Sequence, residues 1–313
     1  MPESVVTSHV TTSARVVSSI AEMHAVAREL VRRGQAVALV PTMGALHEGH
    51  LSLARRVRTE GGALVVSIFV NPAQFGPSED FARYPRNLER DLERLGPFAP
   101  EAVFAPSALD VYPSGFSTQV DPGEIGMGFE GASRPGHFRG VATVVLKLFN
   151  LVSPSVAYFG QKDCQQCVVI RRMVADLNVP VRVVVCPTVR DPDGLALSSR
   201  NSYLAPEDRH AAPVLYQSLR LAQEIFQAGE IRASALLDAM QSVLAGEPRI
   251  SVDYTAIVEP AALKPVAEVE TGHVALVAAR VGATRLIDNL IFGPRCATEA
   301  ELIDSAFPQS APR

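Results

Sequence analysis

The sequence predicts an α/β protein, in which a parallel sheet with helices on both faces is followed by a smaller C-terminal α+β domain. Up to about residue 188, short apolar runs alternate with amphipathic helical patterns, which is typical of right-handed βαβ units. Those runs are apolar at nearly every position, as expected for strands buried on both faces. After residue 188, helical patterns come first and strand patterns follow, which favours a separate unit. The first part is therefore expected to be Rossmann-like.

The elements of the first part are predicted from hydrophobic periodicity and from the residues that end each run. A helical pattern starts at Val16 and ends at Gly34, because its apolar residues repeat at helical spacing and glycine favours helix ends. Further helices are predicted over 48–60, 87–95, 140–152 and 163–177. Strands are predicted over 36–40, 63–70, 102–105, 156–159 and 181–185.

The second part begins with a polar, turn-rich segment after Thr188. Helices are predicted over 211–227 and 231–245, and strands over 252–258, 273–279 and 285–291. We therefore divide the chain into a loose segment over 1–15, a Rossmann-like domain over 16–188, a C-terminal α+β lid domain over 189–296 and a weakly ordered tail over 297–313.

Composition excludes several classes of protein. The chain has 313 residues, of which 47% are hydrophobic and 20% charged, and its net charge is −4, which is ordinary for a globular protein without a broad nucleic-acid surface. No apolar run approaches the roughly 18 residues of a membrane span, so neither nucleic acid nor a membrane is an expected partner. The first residues lack a charged stretch followed by an apolar one. We therefore expect a cytoplasmic protein whose four cysteines are reduced.

The segment PTMGALHEGH, residues 41–50, lies where a predicted strand ends and a helix begins. Open α/β sheets bind ligands at that edge, and the free N–H groups and dipole of a helix N-terminus favour phosphate. His47 and His50 share one helix face, while Gly49 leaves room for a ligand near the backbone. A zinc helix would need the spacing HExxH and a third ligand. Two histidines on a surface helix remain the alternative to a phosphate site.

A second candidate for phosphate binding, FGQKD at residues 159–163, also joins a predicted strand to a helix. Lys162 opposes the positive end of the helix dipole unless an anion lies there, so the segment favours an anion site. Asp163 can cap the helix or accept hydrogen bonds from a ribose. Cys164 and Cys167 follow as a CxxC pair, for which a redox role is weighed against the burial of two small apolar side chains.

Three further polar segments admit a structural or a binding role. NPAQF, residues 71–75, presents two amides, either for a substrate or within a simple turn. GHFRG, residues 136–140, is a helix cap or part of a site. LSSRN, residues 197–201, carries two hydroxyls and a guanidinium that can close over a polyphosphate, or it is a flexible linker. No P-loop or GxSxG motif occurs.

Taken together, these segments resemble the pantothenate synthetases, or pantoate–β-alanine ligases, of the class-I nucleotidyltransferase superfamily. The resemblance covers residues 16–292 and is carried by PTMGALHEGHLSL, SIFVNPAQFGPSEDFARYPR, RPGHFRGVATVVLKL, FGQKD, LALSSRN and GATRLIDN in this order. It implies an ATP-dependent ligase that condenses pantoate with β-alanine through pantoyl adenylate, giving pantothenate, AMP and pyrophosphate. Mg²⁺ as a cofactor and a homodimer are implied as well.

The resemblance also implies roles for individual residues. His50 is the implied proton donor, and His47, Lys162 and Arg200 act with it on the phosphates. ATP would contact Met43, Gly44, Ala45, Leu46, His47, Glu48, Gly49, His50, Gly160, Gln161, Lys162, Asp163, Val189, Leu197, Ser198, Ser199 and Arg200. Gln74 and Gln166 would hold pantoate, with Gln74 also near β-alanine. No side chain is assigned to a metal ion.

The implied reaction adds two expectations about the surroundings of the site. Because water would destroy the mixed anhydride, residues 71–86 and 198–200 are expected to cover it. The methyl groups of pantoate are expected to contact Pro41, Met43, Val144 and Val145. Three alternatives stay open: an enzyme that adenylates another small acid, a non-catalytic ATP-binding protein of the same fold, and a metal or redox protein.

Overall fold

The computed structural model describes residues 14–77 and 79–308. Its strands are β1 (Val16–Val17), β2 (Val37–Thr42), β3 (Ala63–Ile68), β4 (Ala102–Phe104), β5 (Val156–Gly160), β6 (Arg182–Cys186), β7 (Ile250–Glu259), β8 (Lys264–Pro265), β9 (Val274–Val281) and β10 (Thr284–Ile291). Its helices are α1 (Ile20–Arg32), α2 (Glu48–Thr59), α3 (Leu88–Leu95), α4 (Ala108–Val111), α5 (Glu130–Ser133), α6 (His137–Val152), α7 (Cys164–Asp176), α8 (Pro206–Ala211), α9 (Val214–Gln227), α10 (Ala233–Ala245) and α11 (Glu299–Ala306).

The first six strands form one parallel sheet in the order β1-β4-β3-β2-β5-β6. Alternate residues of a strand face opposite sides of a sheet. In β2, Val37 and Leu39 pack in the core with α1, α6 and α7, whereas Ala38 and Val40 pack with α2 and α3. Both faces are thus covered, which explains why the strands are apolar at nearly every position. The predicted parallel sheet with helices on both faces is confirmed.

The order of the strands places a crevice beside β2. The chain runs from β2 outward to β3 and β4, and β5 then pairs with the other edge of β2. In open α/β sheets, ligands bind where the order of the strands reverses, just beyond their carboxyl ends. Residues 43–50 follow β2 and residues 161–163 follow β5, so both candidate phosphate segments stand at this point.

The last four strands form an antiparallel sheet in the order β10-β9-β7-β8. One face packs against α9 and α10. The other face turns toward the parallel sheet, because Leu276 of β9 and Ile291 of β10 lie in the core cluster of that sheet. This arrangement confirms the predicted smaller α+β unit, which contacts the turn Gln161–Asp163 through β10.

The first predicted helix begins later than the sequence pattern suggests. Val16 and Val17 pair with β4 as a short edge strand, and α1 starts at Ile20. The reason is local, because two β-branched residues suit a strand and the Ser19 hydroxyl accepts the Glu22 N–H at 3.3 Å as an N-cap. Of the segment expected to be loose, only residues 14 and 15 are described.

The tail that was expected to be weakly ordered from residue 297 contains the helix α11. Thr298 and Glu301 form a capping box at its start. Ile303 of this helix and Phe307, the residue directly after it, are buried in the core cluster of the parallel sheet, which anchors the helix. Residues 309–313 lie outside the described part of the chain. No helix within the described ranges is long and apolar enough to cross a membrane.

Candidate active site

A cleft of about 1010 Å³, open to solvent, lies beyond the carboxyl ends of β2 and β5. Most of the predicted site residues line it: Met43, His47, Gly49, His50, Gln74, Gly160, Lys162, Asp163, Gln166, Val189, Leu197, Ser198, Ser199 and Arg200. The fold thus brings four separate sequence segments to one place. Pro41 also lines the cleft, whereas Val144 and Val145 are buried in the core and do not line it.

Five predicted residues do not line the cleft: Gly44, Ala45, Leu46, Glu48 and Gln161. Leu46 is buried in the core on the α2 side of the sheet. The Glu48 carboxylate is half-exposed and pairs with Arg55 at 2.6 Å. The Gln161 side chain is buried and donates to Asn289 Oδ1 at 3.0 Å. These side chains shape the surroundings of the cleft and do not face its interior.

The turn between β2 and α2 is held by Asp91, which the sequence motifs do not include. The buried Asp91 carboxylate accepts the N–H groups of Ala45 at 3.0 Å and Leu46 at 2.8 Å. Gly44 has a φ of +83°, and a Cβ there would lie 2.9 Å from Asp91 Oδ2, so glycine is required. The available signal was an acidic residue four positions before the buried Leu95, on the same face of α3.

The two histidine rings lie side by side in the cleft, with centroids 4.0 Å apart. The His47 N–H donates to His50 Nδ1 at 3.3 Å, so the neutral His50 ring carries its proton on Nε2. Burial, together with the neighbouring charge of Lys162, lowers the pKa of His47 to about 4. Burial also lowers the pKa of His50 well below its usual value. Both rings are therefore neutral hydrogen-bonding groups near pH 7, not cations.

Gly49 makes room for a side chain of the protein itself. A Cβ at this position would lie 2.9 Å from His47 Nδ1 and 3.0 Å from His47 Cε1. The sequence suggested that Gly49 lets a ligand approach the backbone, but the His47 ring fills that space. His47 Nδ1 is buried and has no hydrogen-bond partner among the described residues.

Lys162 differs from the other cations of the cleft. Arg200 forms a two-point ion pair with Asp80, at 2.9 and 3.1 Å, and Arg134 forms one with Glu79, at 2.7 and 2.9 Å. The Lys162 ammonium, in contrast, has no carboxylate partner in the part of the chain that the structure describes. A cation at the start of α7 without a partner favours an anionic ligand.

Two loops meet over the cleft, as expected for covers of the site. Besides the ion pair between Arg200 and Asp80, the Tyr84 hydroxyl and Ser199 Oγ form a hydrogen bond of 3.2 Å. The Tyr203 hydroxyl donates to the Arg83 carbonyl at 3.3 Å. We call residues 79–84 and 199–203 the clasp, because these contacts join a loop after β3 to the loop before α8.

Asn71 and Gly140 fix the short turn Pro72–Gln74. Asn71 Nδ2 donates to Gln74 Oε1 at 3.0 Å and to the Gly140 carbonyl at 3.2 Å. Gln74 Nε2 then points to Met43 Sδ at 3.2 Å. The Gln74 side chain is therefore held at the wall of the cleft, while the Gln166 side chain makes no hydrogen bond within the described ranges.

His137 of the GHFRG motif belongs to the site, whereas Arg139 does not. Arg134 Nη1 lies 3.0 Å from His137 Nε2, and His137 Nδ1 lies 2.8 Å from the Gln74 carbonyl. A guanidinium can only donate, so the neutral ring carries its proton on Nδ1 and donates to that carbonyl. Burial and Arg134 lower the pKa of His137 to about 4. The Arg139 side chain is half-exposed, 3.9 Å from Asp121.

Thr188 is a further residue that the motifs missed. It lines the cleft beside Val189, and its Oγ1 is buried without a partner among the residues described. A buried hydroxyl without a partner is costly, so a ligand in the cleft would be a natural partner for it. Its position two residues after the end of β6 was the available signal.

Cys164 and Cys167 are buried thiols. Burial raises the pKa of Cys164 to about 12, and Cys167 Sγ donates to the Gly160 carbonyl at 3.4 Å. Thiols of raised pKa are poor nucleophiles, so the geometry favours packing over redox work. Within residues 14–77 and 79–308, no group of three or more His, Cys, Asp or Glu side chains could hold a metal ion.

Comparison with known proteins relates nearly the whole chain to one family. The family model described as pantoate-beta-alanine ligase matches residues 15–291. A pantothenate synthetase of Roseiflexus castenholzii is 55% identical over 277 residues, which are 88% of this chain and 99% of that protein.

Solved structures agree. The pantothenate synthetase of Thermus thermophilus matches with a TM-score of 0.83 at 50% identity, covering 88% of this chain and 98% of that one. The pantoate-beta-alanine ligase of Francisella tularensis, complexed with beta-gamma ATP and beta-alanine, matches with a TM-score of 0.74 at 34% identity, covering 89% and 97%. Sequence and fold lead to the same conclusion: the chain belongs to the pantoate–beta-alanine ligase family.

Proposed function

We propose that this chain joins pantoate to β-alanine in two steps, through pantoyl adenylate. In the first step, a carboxylate oxygen of pantoate bonds to the α-phosphorus of ATP, and pyrophosphate leaves. In the second, the β-alanine nitrogen bonds to the acyl carbon, AMP leaves with the electron pair of the broken C–O bond, and the nitrogen loses a proton. The observation that supports this proposal most strongly is that His47, His50 and Lys162 line one cleft beside the start of α2.

The first step needs charge neutralisation and alignment more than it needs a base. A carboxylate with a pKa of about 4 is already ionised at pH 7, whereas the phosphates carry charge that must be neutralised. We assign Lys162 to that task, because it is the cleft cation without a carboxylate partner in the described chain. We assign His50 Nε2 and the His47 ring to hydrogen bonds with phosphate oxygens, since both rings are neutral and line the cleft.

Two amides are proposed to orient the acid. Gln74 is held by Asn71 and Met43, and Gln166 faces the same cleft. Amides can hold a hydroxyl and a carboxylate without adding charge, so the carboxylate stays nucleophilic. Pro41 and Met43 offer an apolar wall for the methyl groups of pantoate. β-Alanine is proposed to bind beside Gln74.

The nucleotide is proposed to lie along the rest of the cleft. Gly160 and Asp163 stand where a ribose would follow the phosphates, and Val189 and Thr188 stand where the base would follow. The buried Thr188 hydroxyl supports this placement, because a purine offers it a hydrogen-bond partner. Leu197 to Arg200 complete the phosphate side.

The clasp is proposed to protect the mixed anhydride from water. Tyr84, Ser199 and Arg200 line the cleft as well as joining the two loops. A closed clasp would exclude solvent in the interval between the formation of pantoyl adenylate and its reaction with β-alanine. Arg200, already paired with Asp80, serves in this scheme to join the loops and to place a positive group near the phosphates.

Mg²⁺ is proposed to enter with ATP. The residues fit this mode of binding, since Asp163 is the one acidic side chain among the described residues that line the cleft. Mg²⁺ keeps several waters and is commonly bound through substrate phosphates with few protein carboxylates. When bound, the ion would neutralise charge on the phosphates. We also propose a cytoplasmic homodimer on the family resemblance, for which light scattering of the purified protein is the test.

Replacing Gly140 with alanine is expected to weaken pantoate binding and stability. A Cβ there would lie 2.2 Å from the Ala73 oxygen and 2.7 Å from Gln74 Cα, an overlap that only a shift of the turn relieves. We expect a loss of about 1–3 kcal/mol in the free energy of unfolding and a KM for pantoate raised about tenfold. Thermal unfolding and initial rates measure both. Gly96→Ala, where nothing lies within 4 Å, is the matched control, and equal behaviour of the two variants would contradict the argument.

The proposed function is tested by measuring AMP and pantothenate formed from ATP, pantoate and β-alanine. We expect AMP to form continuously only when all three are present. A panel of other small hydroxy acids in place of pantoate tests whether the enzyme activates a different acid. Stoichiometric binding of ATP without release of AMP would contradict the proposal and would favour a non-catalytic protein of this fold.

A further inference from the structure

Asn289 belongs to the antiparallel sheet, but its side chain holds the turn that carries Lys162. Asn289 Nδ2 donates to the Gln161 carbonyl at 3.0 Å and to the Lys162 carbonyl at 2.9 Å. Asn289 Oδ1 accepts from Gln161 Nε2 at 3.0 Å. The residue is only 2% exposed. One buried amide therefore makes three hydrogen bonds to two consecutive residues of the Gln161–Asp163 turn.

The backbone of Asn289 and its neighbour Asp288 hold a different part of the cleft. The Asp288 carboxylate pairs with Arg190 at 2.5 and 3.0 Å, and the Asn289 carbonyl accepts from Arg190 at 3.3 Å. Arg190 directly follows Val189, which lines the cleft. The side chain of Asn289 thus acts on the Lys162 side and its backbone on the Val189 side. A substitution that changes only the side chain separates the two effects.

The position of the Lys162 ammonium depends strongly on the backbone that carries it. The positions of the neighbouring guanidinium groups depend less on their backbone. Arg134 and Arg200 are held at their charged ends by Glu79 and Asp80. Lys162 has no such partner in the described part of the chain, so its own turn sets where the flexible side chain starts. A displacement of about 1 Å in a positioning group can cost roughly 10²-fold in rate.

We propose that Asn289 is a positioning residue for Lys162, so that the C-terminal sheet sets the place of the cation that meets the triphosphate. The inference rests on the proposed role of Lys162 in adenylate formation. Asn289 does not line the cleft, so its effect on the reaction is expected to pass through the turn alone. It should therefore affect the step that uses Lys162 and leave the second step, the attack of β-alanine on pantoyl adenylate, nearly unchanged.

The test combines two substitutions of Asn289 with a double-mutant cycle. Asn289→Ala removes the three hydrogen bonds, and Asn289→Asp places one carboxylate oxygen against two carbonyls. We expect pantoate-dependent ATP–pyrophosphate exchange to show a kcat lowered about tenfold in the first and up to roughly 10²-fold in the second, with a KM for pantoate within about threefold. In the Lys162→Ala background, Asn289→Ala should change the rate less than about threefold, because coupled residues are not additive.

Two readouts separate positioning from a general loss of structure. The rate at which β-alanine cleaves supplied pantoyl adenylate should stay within about threefold of the wild-type rate. As a control, Asn150→Asp, at an exposed position, should match wild type in both assays. If Asn289→Asp fails to unfold cooperatively, Asn289→Ala carries the test. If wild type catalyses the exchange and both Asn289 variants do so with the same kcat, this inference is overturned and the proposed function still stands. An equal loss from Asn289→Ala in both backgrounds, or in both half-reactions, would overturn it too.

Discussion

Replacing Lys162 with alanine is expected to lower pantoate-dependent ATP–pyrophosphate exchange by roughly 10²-fold or more, the scale of removing a transition-state charge partner. The reason is the unequal pairing of the cations in the cleft. Arg134 and Arg200 are paired with carboxylates, and both histidine rings are neutral. Lys162 therefore has the largest share of free positive charge to offer the phosphates.

The Lys162 prediction is measured as kcat for exchange at saturating ATP and pantoate. Lys264→Ala removes an exposed lysine of β8 and should leave the rate unchanged. The loss should lie in kcat more than in KM, because the charge acts most strongly as pyrophosphate leaves. Near-normal exchange by Lys162→Ala would show that another group neutralises the triphosphate.

Substitutions of His50 are expected to have the second large effect, and their order should reveal which ring nitrogen acts. Nδ1 accepts the His47 N–H, so Nε2 is the donor available to phosphate. His50→Gln carries an amide near the place of Nε2, whereas His50→Asn reaches only the place of Nδ1. We expect exchange to fall roughly 10²-fold in His50→Ala and His50→Asn, but only about tenfold in His50→Gln. Equal losses in the Gln and Asn variants would contradict this assignment.

The same neutrality predicts how the rate depends on pH. A lowered pKa means that the ring is charged only at pH values below it, which is about 4 for His47 and well below the usual value for His50. Between pH 6 and 8 neither ring gains or loses a proton in the free enzyme. The profile of kcat/KM for ATP, which reports free-enzyme groups, should therefore show no step near pH 6.5 that is caused by either ring. A step there that disappears in His50→Gln would mean that the ring is a cation when ATP binds.

The sheet and the cleft were accessible from the sequence because both depend on local patterns. Strands such as β2 bury alternate residues on two faces, so they are apolar throughout and stand out. His47 and Lys162 follow strands β2 and β5, and parallel strands place their carboxyl ends at one edge. Only the adjacency of these two strands was needed to bring the residues together.

The groups that hold the site were not accessible in the same way. Asp91 and Asn289 act on turns that are 45 and 127 positions away in the chain, and no spacing rule connects them. The errors at the ends of the chain have a similar cause. Val16 and Val17 form a strand because β4 lies beside them, and α11 is ordered because its apolar face meets the core. Tertiary contacts decided each of these cases.

The central claim is that the carboxylate of pantoate attacks the α-phosphorus of ATP in the cleft of His47, His50 and Lys162. It is tested most directly with pantoate labelled with ¹⁸O in both carboxylate oxygens, followed by mass spectrometry of the nucleotide and phosphate products. Adenylate formation predicts that one ¹⁸O moves into AMP for each pantothenate formed, while pyrophosphate stays unlabelled. Label in inorganic phosphate, with ADP as the nucleotide product, would show attack on the terminal phosphate and would contradict the account.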